Sequence, residues 1–234
     1  MIDFYQAVVL ALLQGLTDFL PISSSAHLVI PSLLLDWPDQ GLAFDVAVHV
    51  GTLSAVLAYY RQDILRLASR WLSSFNGSPP DEDSRMVWYL LLATVPAGLV
   101  GLFAGDYIED KLRNLPVIAT TTLIFGLALG IADRLAMRTP GSISLTLWIA
   151  LAIGCAQALA PVPGVSRSGV TITAGLLLGL SRQASARFSF LLSIPIIARA
   201  GMLKFLELVT AGEPAQWGML LLGAVVAGGS AYLC

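Results

Sequence analysis

Gln14-Gly15-Leu16-Thr17-Asp18-Phe19-Leu20-Pro21-Ile22-Ser23-Ser24-Ser25-Ala26-His27 breaks into an apolar run that starts at Phe4 and continues to Ile30. A helix that crosses a bilayer needs roughly 20 mostly apolar residues. This stretch has the apolar flanks without the continuity, because Gln14, Asp18, Pro21 and a serine triplet sit in its middle. Backbone that is not helical at membrane depth must be buried in protein or line a wet cavity. The stretch 4–35 therefore reads as two short helices joined by a polar turn, a re-entrant hairpin. A second stretch, 143–180, has the same form. It is apolar until Gln157, Pro161, Pro163-Gly164 and Ser166-Arg167-Ser168-Gly169.

The rest of the chain agrees with a membrane setting. Of its 234 residues, 56% are hydrophobic and only 12% charged, with a mean hydropathy of +0.79. A soluble domain carries about twice that charge. A net charge of −2 gives no basic footprint for nucleic acid. Cys155 and Cys234 have no partners at metal-ligand spacing. No Lys or Arg precedes Arg61, so no cleavable signal is expected.

Continuous apolar spans are expected at 42–60, 86–104, 116–133, 186–209 and 216–233. Arg61, Arg66, Arg70 and Arg85 fall in the loop 61–85, Arg134 and Arg138 after the third span, and Arg182 and Arg187 at the turn near 182. The opposite side has 36–45, without Lys or Arg, and 105–115, where Lys111 and Arg113 face Asp106, Glu109 and Asp110. The positive-inside rule puts the first group in the cytoplasm. That assignment holds only if each broken stretch returns to its own side. Within the first loop, 73–84 is rich in Ser, Pro and Asp and is expected to be exposed. Trp and Tyr residues at span ends form an aromatic belt.

Residues 14–25 and 157–168 also resemble each other, Gln14-Gly15-Leu16 against Gln157-Ala158-Leu159 and Ser23-Ser24-Ser25 against Ser166-Arg167-Ser168. The fold class expected is thus an all-α polytopic membrane protein built as an inverted repeat, 1–140 and 141–234, with two re-entrant helical hairpins and about five spanning helices. Such repeats are the usual build of transporters. The first repeat has three spans after its hairpin and the second two, so symmetry calls for one more helix than the sequence supplies.

The chemistry gathers at the two breaks. Gln14 and Asp18 project from one helix face, and a carboxylate inside a membrane helix is a functional hypothesis by default. Asp18 is the candidate to hold a divalent cation or act as a base. Beyond Pro21 a helix restarts behind a serine cap, and such an N-terminus binds anions. Ser23 or Ser24 shares a face with His27, the pattern of an activated nucleophile. In the second hairpin Gly164 permits a tight turn, and Arg167, between Ser166 and Ser168 and ahead of Thr171, suits bidentate phosphate contact. His49 reads as a packing residue. Arg187, Lys204 and Glu207 read as interfacial, and Arg199 as facing a cavity. Together these features make an anion site with a nucleophile at membrane depth.

The two motifs, and the run Arg187-Phe188-Ser189-Phe190-Leu191-Leu192-Ser193-Ile194-Pro195, resemble the undecaprenyl-pyrophosphate phosphatase family of the bacitracin-resistance type over nearly the whole chain. That resemblance implies hydrolysis of a C55 polyprenyl diphosphate to the monophosphate, recycling the lipid carrier of cell-wall synthesis. It implies a bacterial inner (plasma) membrane location, dependence on a divalent cation, Mg2+ or Ca2+, and a homodimer among the assemblies allowed. By position, Asp18 matches the family's essential acid and Gln14 the first member of that motif. Ser24 matches the proposed nucleophile, His27 the histidine beside it, and Arg167 the phosphate-binding arginine, and spacing leaves open whether serine or histidine attacks phosphorus. The expected substrate-binding set is Gln14, Ser23, Ser25, Gly164, Ser166, Ser168 and Thr171, with Asp18 as metal ligand. Asp18 departs from the family's usual Glu, one methylene longer, and the family's last helix has no counterpart. The rival reading is a transporter or flippase of the same lipid, which needs the arginine but no nucleophile.

Overall fold

The computed structural model describes residues 2–76, 79, 81–138, 143–211 and 216–234, and every described element is a helix. The first hairpin is α1 (Phe4–Thr17) and α2 (Ser24–Leu34). α1 starts where the Asp3 carboxylate accepts the Gln6 N–H while the Gln6 side chain accepts the Asp3 N–H, a reciprocal cap. At 1.5 Å per residue these helices reach about 21 and 17 Å, short of a hydrocarbon core of about 30 Å. The second hairpin, α8 (Leu147–Gln157) and α9 (Arg167–Leu177), is equally short. Both are broken helices packed against protein.

Four described helices are long and apolar enough to cross a membrane: α3 (Gly41–Tyr59), α5 (Glu82–Phe103), α7 (Leu115–Arg138) and α10 (Arg182–Ala211). The fifth expected span, α11 (Trp217–Leu233), has 17 residues and sits at the short end of the spanning range. The chain is an all-α, multi-pass membrane protein.

Two expected loops contain helices. α4 (Arg61–Ser74) occupies much of the loop 61–85, and α6 (Gly105–Leu112) most of 105–115. α4 is amphipathic: Ile64 and Leu67 enter the core with Leu90, while Arg66 and Arg70 pair with Asp83 and Asp81 at 3.2 and 3.7 Å. The apolar residues of α4 recur at helical spacing without making a continuous run, so it is an amphipathic helix and not a span. Of the expected exposed loop 73–84, Gly77, Ser78 and Pro80 lie outside the described residues. So do the 140/141 repeat boundary and the side chains of Asp106, Glu109, Arg138, Lys204 and Glu207.

Helix pairing follows a swap of the two halves: α1 packs on α11 as α8 packs on α5, and α3 crosses α10 between them. Lipid gives little hydrophobic drive for helix association, so such interfaces rely on small residues and close backbone approach. Gly51 of α3 lies against the Ala224 carbonyl, and Gly154 of α8 against Ala93; a Cβ at either glycine would collide with that backbone. One apolar cluster (Phe188, Leu191, Leu192, Ile153, Leu90) supports the second hairpin and another (Leu10, Leu28, Phe44, Val48) the first. The hairpin tips meet between these clusters.

Candidate active site

The two hairpins break in the same way. In the first, Ser23 caps α2: its hydroxyl accepts the Ala26 N–H at 3.2 Å and lies 3.1 Å from the Ser25 hydroxyl. In the second, Ser166 caps α9: its hydroxyl accepts the Gly169 N–H at 3.1 Å and lies 3.1 Å from the Ser168 hydroxyl. The repeated Ser-X-Ser cap is thus one local device used twice, leaving free N–H groups of a first helical turn at each tip. Ser168 donates to the Leu20 carbonyl at 2.9 Å and ties one break to the other. Gly164 has φ +89°, and a Cβ there would strike Thr121 and the Ile118 carbonyl. Thr121 and Thr122 of α7 donate to the Pro163 and Gly164 carbonyls at 2.7 and 3.1 Å, satisfying backbone that the break leaves unpaired. Thr171 is buried, 2.7 Å from the Ser189 hydroxyl of α10.

Asp18 lies at the end of α1, its side chain 4% exposed. Oδ2 accepts a short hydrogen bond from the Thr52 hydroxyl of α3. Oδ1 stands 3.7 Å from Arg167 Nη2 and 3.8 Å from His49 Nε2. The Arg167 guanidinium also lies 5.9 Å from the centre of the Phe19 ring, within cation–π reach. Both Arg167 Nη atoms are buried without a hydrogen-bond partner, as are the amide O and N of Gln14 and Gln157. A buried donor left unpaired costs about 1–3 kcal/mol, more if charged. A cluster of such groups at one place marks where a polar ligand sits.

Asp18, Ser24, Ser25, His49, Ser166 and Arg167 line one cavity of about 540 Å3, with Asp45, Arg113 and Arg199 also on its wall. The Ser24 hydroxyl lines it and makes no hydrogen bond among the described residues. Gln157 and Gly101 also border it. Gln14, Ser23, Ser168 and Thr171 lie behind the wall as buried supports, and the Gly164 turn holds Pro163 and Val165 on it.

His27 is not among the residues lining the cavity. Its Nδ1 faces the Ser23 carbonyl at 2.6 Å, and among the described residues no hydrogen bond joins it to a serine hydroxyl. One turn of α2 is the reason: an imidazole at i+4 meets the i carbonyl of its own helix. His49, read from sequence as packing, faces the site instead. Its Nδ1 lies 2.7 Å from the Asp45 carbonyl, which leaves Nε2 as the atom toward Asp18. Thr52 shares that face: Asp45, His49 and Thr52 recur at i, i+4 and i+7, one polar face on an apolar span.

Among the described residues no group of three or more His, Cys, Asp or Glu side chains gathers as a metal cage. Hard cations take oxygen donors, and Mg2+ is held by one or two carboxylates with substrate phosphates completing its shell. Asp18, on the cavity wall, is a carboxylate of that kind.

A family profile described as "Bacitracin resistance protein BacA" matches residues 7–234. The undecaprenyl-diphosphatase of Teredinibacter turnerae is 55% identical over 232 residues, covering 99% of this chain and 88% of the relative. Those of Saccharophagus degradans and Thioalkalivibrio sulfidiphilus are each 54% identical, with 99% of this chain and 87% and 88% of the relatives covered. With a full-length profile match and relatives at this identity, the chain belongs to the bacitracin resistance protein BacA family.

Proposed function

We propose that this protein hydrolyses undecaprenyl diphosphate to undecaprenyl phosphate and inorganic phosphate in the bacterial plasma membrane, recycling the lipid carrier of cell-wall synthesis. The observation that carries the reading is the convergence of two serine-capped helix N-termini, an unbonded Ser24 hydroxyl and a buried, hydrogen-bond-deficient Arg167 on one cavity. A carrier of the same lipid would need the arginine and the N-termini, but not a free hydroxyl poised among them.

The diphosphate enters from the α6 side, and the prenyl chain leaves between helices into lipid. Arg167 and the first-turn N–H groups of α2 and α9 bind the terminal phosphoryl oxygens and offset the charge that develops on them, which is the main catalytic task in phosphoryl transfer. A divalent cation held by Asp18 would add to that neutralisation. Ser24 Oγ bonds to the terminal phosphorus as the bond to the bridging oxygen breaks, and undecaprenyl phosphate departs with that electron pair. The hydroxyl proton passes to an imidazole, for which His49 Nε2 is the acceptor on the cavity wall. Water then hydrolyses the phosphoserine, and inorganic phosphate leaves. Thr52 and Arg167 fix the Asp18 carboxylate from two sides.

Phosphate release from polyprenyl diphosphate by the purified protein in neutral detergent tests this. Wild type is expected to be active and to lose activity in EDTA. Ser24→Ala and Arg167→Ala, shown folded by thermal melting, are expected to fall at least 100-fold. A folded wild type that releases no phosphate would overturn the hydrolase and leave the carrier.

A further inference from the structure

Arg199 is a guanidinium that the chemistry above does not use. It lies on α10, within a span long and apolar enough to cross a membrane, and it lines the same cavity as Asp18, Ser24 and Arg167. Among the described residues it makes no hydrogen bond and no ion pair. The other charges lining the cavity are matched. Asp18 faces Arg167 at 3.7 Å, and Asp45 faces Arg113 at 3.4 Å. Among the described residues the cavity wall therefore carries one unmatched positive charge, on Arg199. α5 makes room for it: a Cβ at Gly98 or Gly101 would stand 3.9 Å from its Nη1, so the guanidinium lies along a strip of helix without side chains. A cation in a membrane span is expensive unless it is paired or reaches water. Here its open side is the cavity.

A diphosphate headgroup has two phosphoryl groups, and Arg167 with the two N-termini accounts for one. We infer that Arg199 binds the other, the phosphoryl group that stays on the lipid, and so selects a diphosphate over a monophosphate. This rests on the hydrolase reading for its substrate. Its physical content is a second phosphate contact, on the α5 and α10 wall, separate from the hairpin tips. The lipid-side phosphate is the leaving group and takes the electron pair of the bridging bond, so its charge grows as the far phosphorus is attacked and the contact is stronger in the transition state than in the ground state. Its loss then lowers kcat as well as weakening binding.

The test compares wild type, Arg199→Gln, Arg199→Lys and the exposed control Arg61→Gln in neutral detergent free of anionic lipid. Arg199→Gln is expected to raise KM for polyprenyl diphosphate at least tenfold and to lower kcat severalfold. It should weaken inhibition by inorganic pyrophosphate at least tenfold and leave inhibition by orthophosphate within twofold. Arg199→Lys should recover part of the KM, and Arg61→Gln none of these changes. Thermal melting with pyrophosphate or orthophosphate, without turnover, reads the same contact: pyrophosphate should raise the wild-type Tm more than orthophosphate does, and the difference should vanish in Arg199→Gln. If Arg199→Gln does not fold, Arg199→Lys carries the test, with KM raised severalfold and the pyrophosphate shift reduced. A folded variant whose KM and pyrophosphate response stay within twofold of wild type would show that Arg199 only packs on the Gly98–Gly101 strip. An inactive wild type that keeps the Arg199-dependent pyrophosphate shift would sink the hydrolase and retain the anion site.

Discussion

Replacing Thr52 by Val removes one hydroxyl from a fully buried position and preserves the shape of the side chain. That hydroxyl donates a short hydrogen bond to Asp18 Oδ2, and the carboxylate it serves is 4% exposed. The other neighbours of Asp18, Arg167 and His49, stand at 3.7 and 3.8 Å on the Oδ1 side, so neither replaces the lost donor. A hydrogen bond to a charged group contributes about 1.5–3 kcal/mol, and the acceptor left behind stays desolvated. Thr52→Val should therefore destabilise the protein by about 1.5–3 kcal/mol. It should also lower kcat/KM by about 10- to 100-fold, since 1.4 kcal/mol is a factor of ten and the freed carboxylate swings toward Arg167. Thr52→Ser keeps the donor and should stay within about threefold. The assay is phosphate release from polyprenyl diphosphate in detergent, paired with thermal melting. A double-mutant cycle with Asp18→Asn separates the contact from general packing, because residues in contact couple by 0.5–3 kcal/mol and independent ones add. Thr52→Val within twofold of wild type in rate, or strictly additive with Asp18→Asn, would refute the placement of Thr52 as the anchor of Asp18.

The two histidines should separate in kind. His49→Gln is expected to lower kcat at least tenfold with little change in melting temperature, whereas His27→Gln, which loses the 2.6 Å contact to the Ser23 carbonyl, lowers both; equal melting and a larger rate loss at His27 would reverse the assignment. Gly164→Ala puts a side chain at φ +89° against Thr121 and the Ile118 carbonyl, and should cost more than 1 kcal/mol of stability, seen in melting. At the start of α5 the Ser84 backbone N–H, 2.8 Å from the Asp81 carboxylate, holds that group below its usual value near 3.8. A depressed acid stabilises the fold fully above its unfolded pKa and loses that contribution as pH falls through the folded value. The melting difference between wild type and Asp81→Ala should therefore be constant above about pH 5 and shrink below about pH 4; a difference that grows toward acid would contradict the cap.

Much of the molecule was legible as one-dimensional pattern. Interrupted apolar runs gave the two hairpins, because proline, glycine and serine act on backbone within a few residues of themselves. Run length gave the long spans for the same local reason. The serine caps at Ser23 and Ser166 and the left-handed turn at Gly164 could be read because a cap or a turn is satisfied by its own neighbourhood. α4 escaped a search tuned to continuous hydropathy, since its periodic face only acquires meaning against Leu90.

What tertiary structure decided is which polar groups share a space. His27 has the serine triplet near it in sequence, and His49 has Asp45 and Thr52 at helical spacing, so local pattern gives each polar company without saying which reaches the site. Helix geometry turns the first onto its own Ser23 carbonyl, while the packing of α3 beside the hairpin end brings the second, with Thr52, to Asp18. The Asp18–Arg167 pair spans 149 positions in the chain, and it exists because Ser168 on one break finds the Leu20 carbonyl on the other. The sequence by itself determined that this protein crosses a membrane and carries two capped breaks able to hold phosphate. Only the fold determined the company of Asp18 and the placing of Arg199, because those depend on how helices far apart in sequence pack, and pairwise distances leave no mark on local composition.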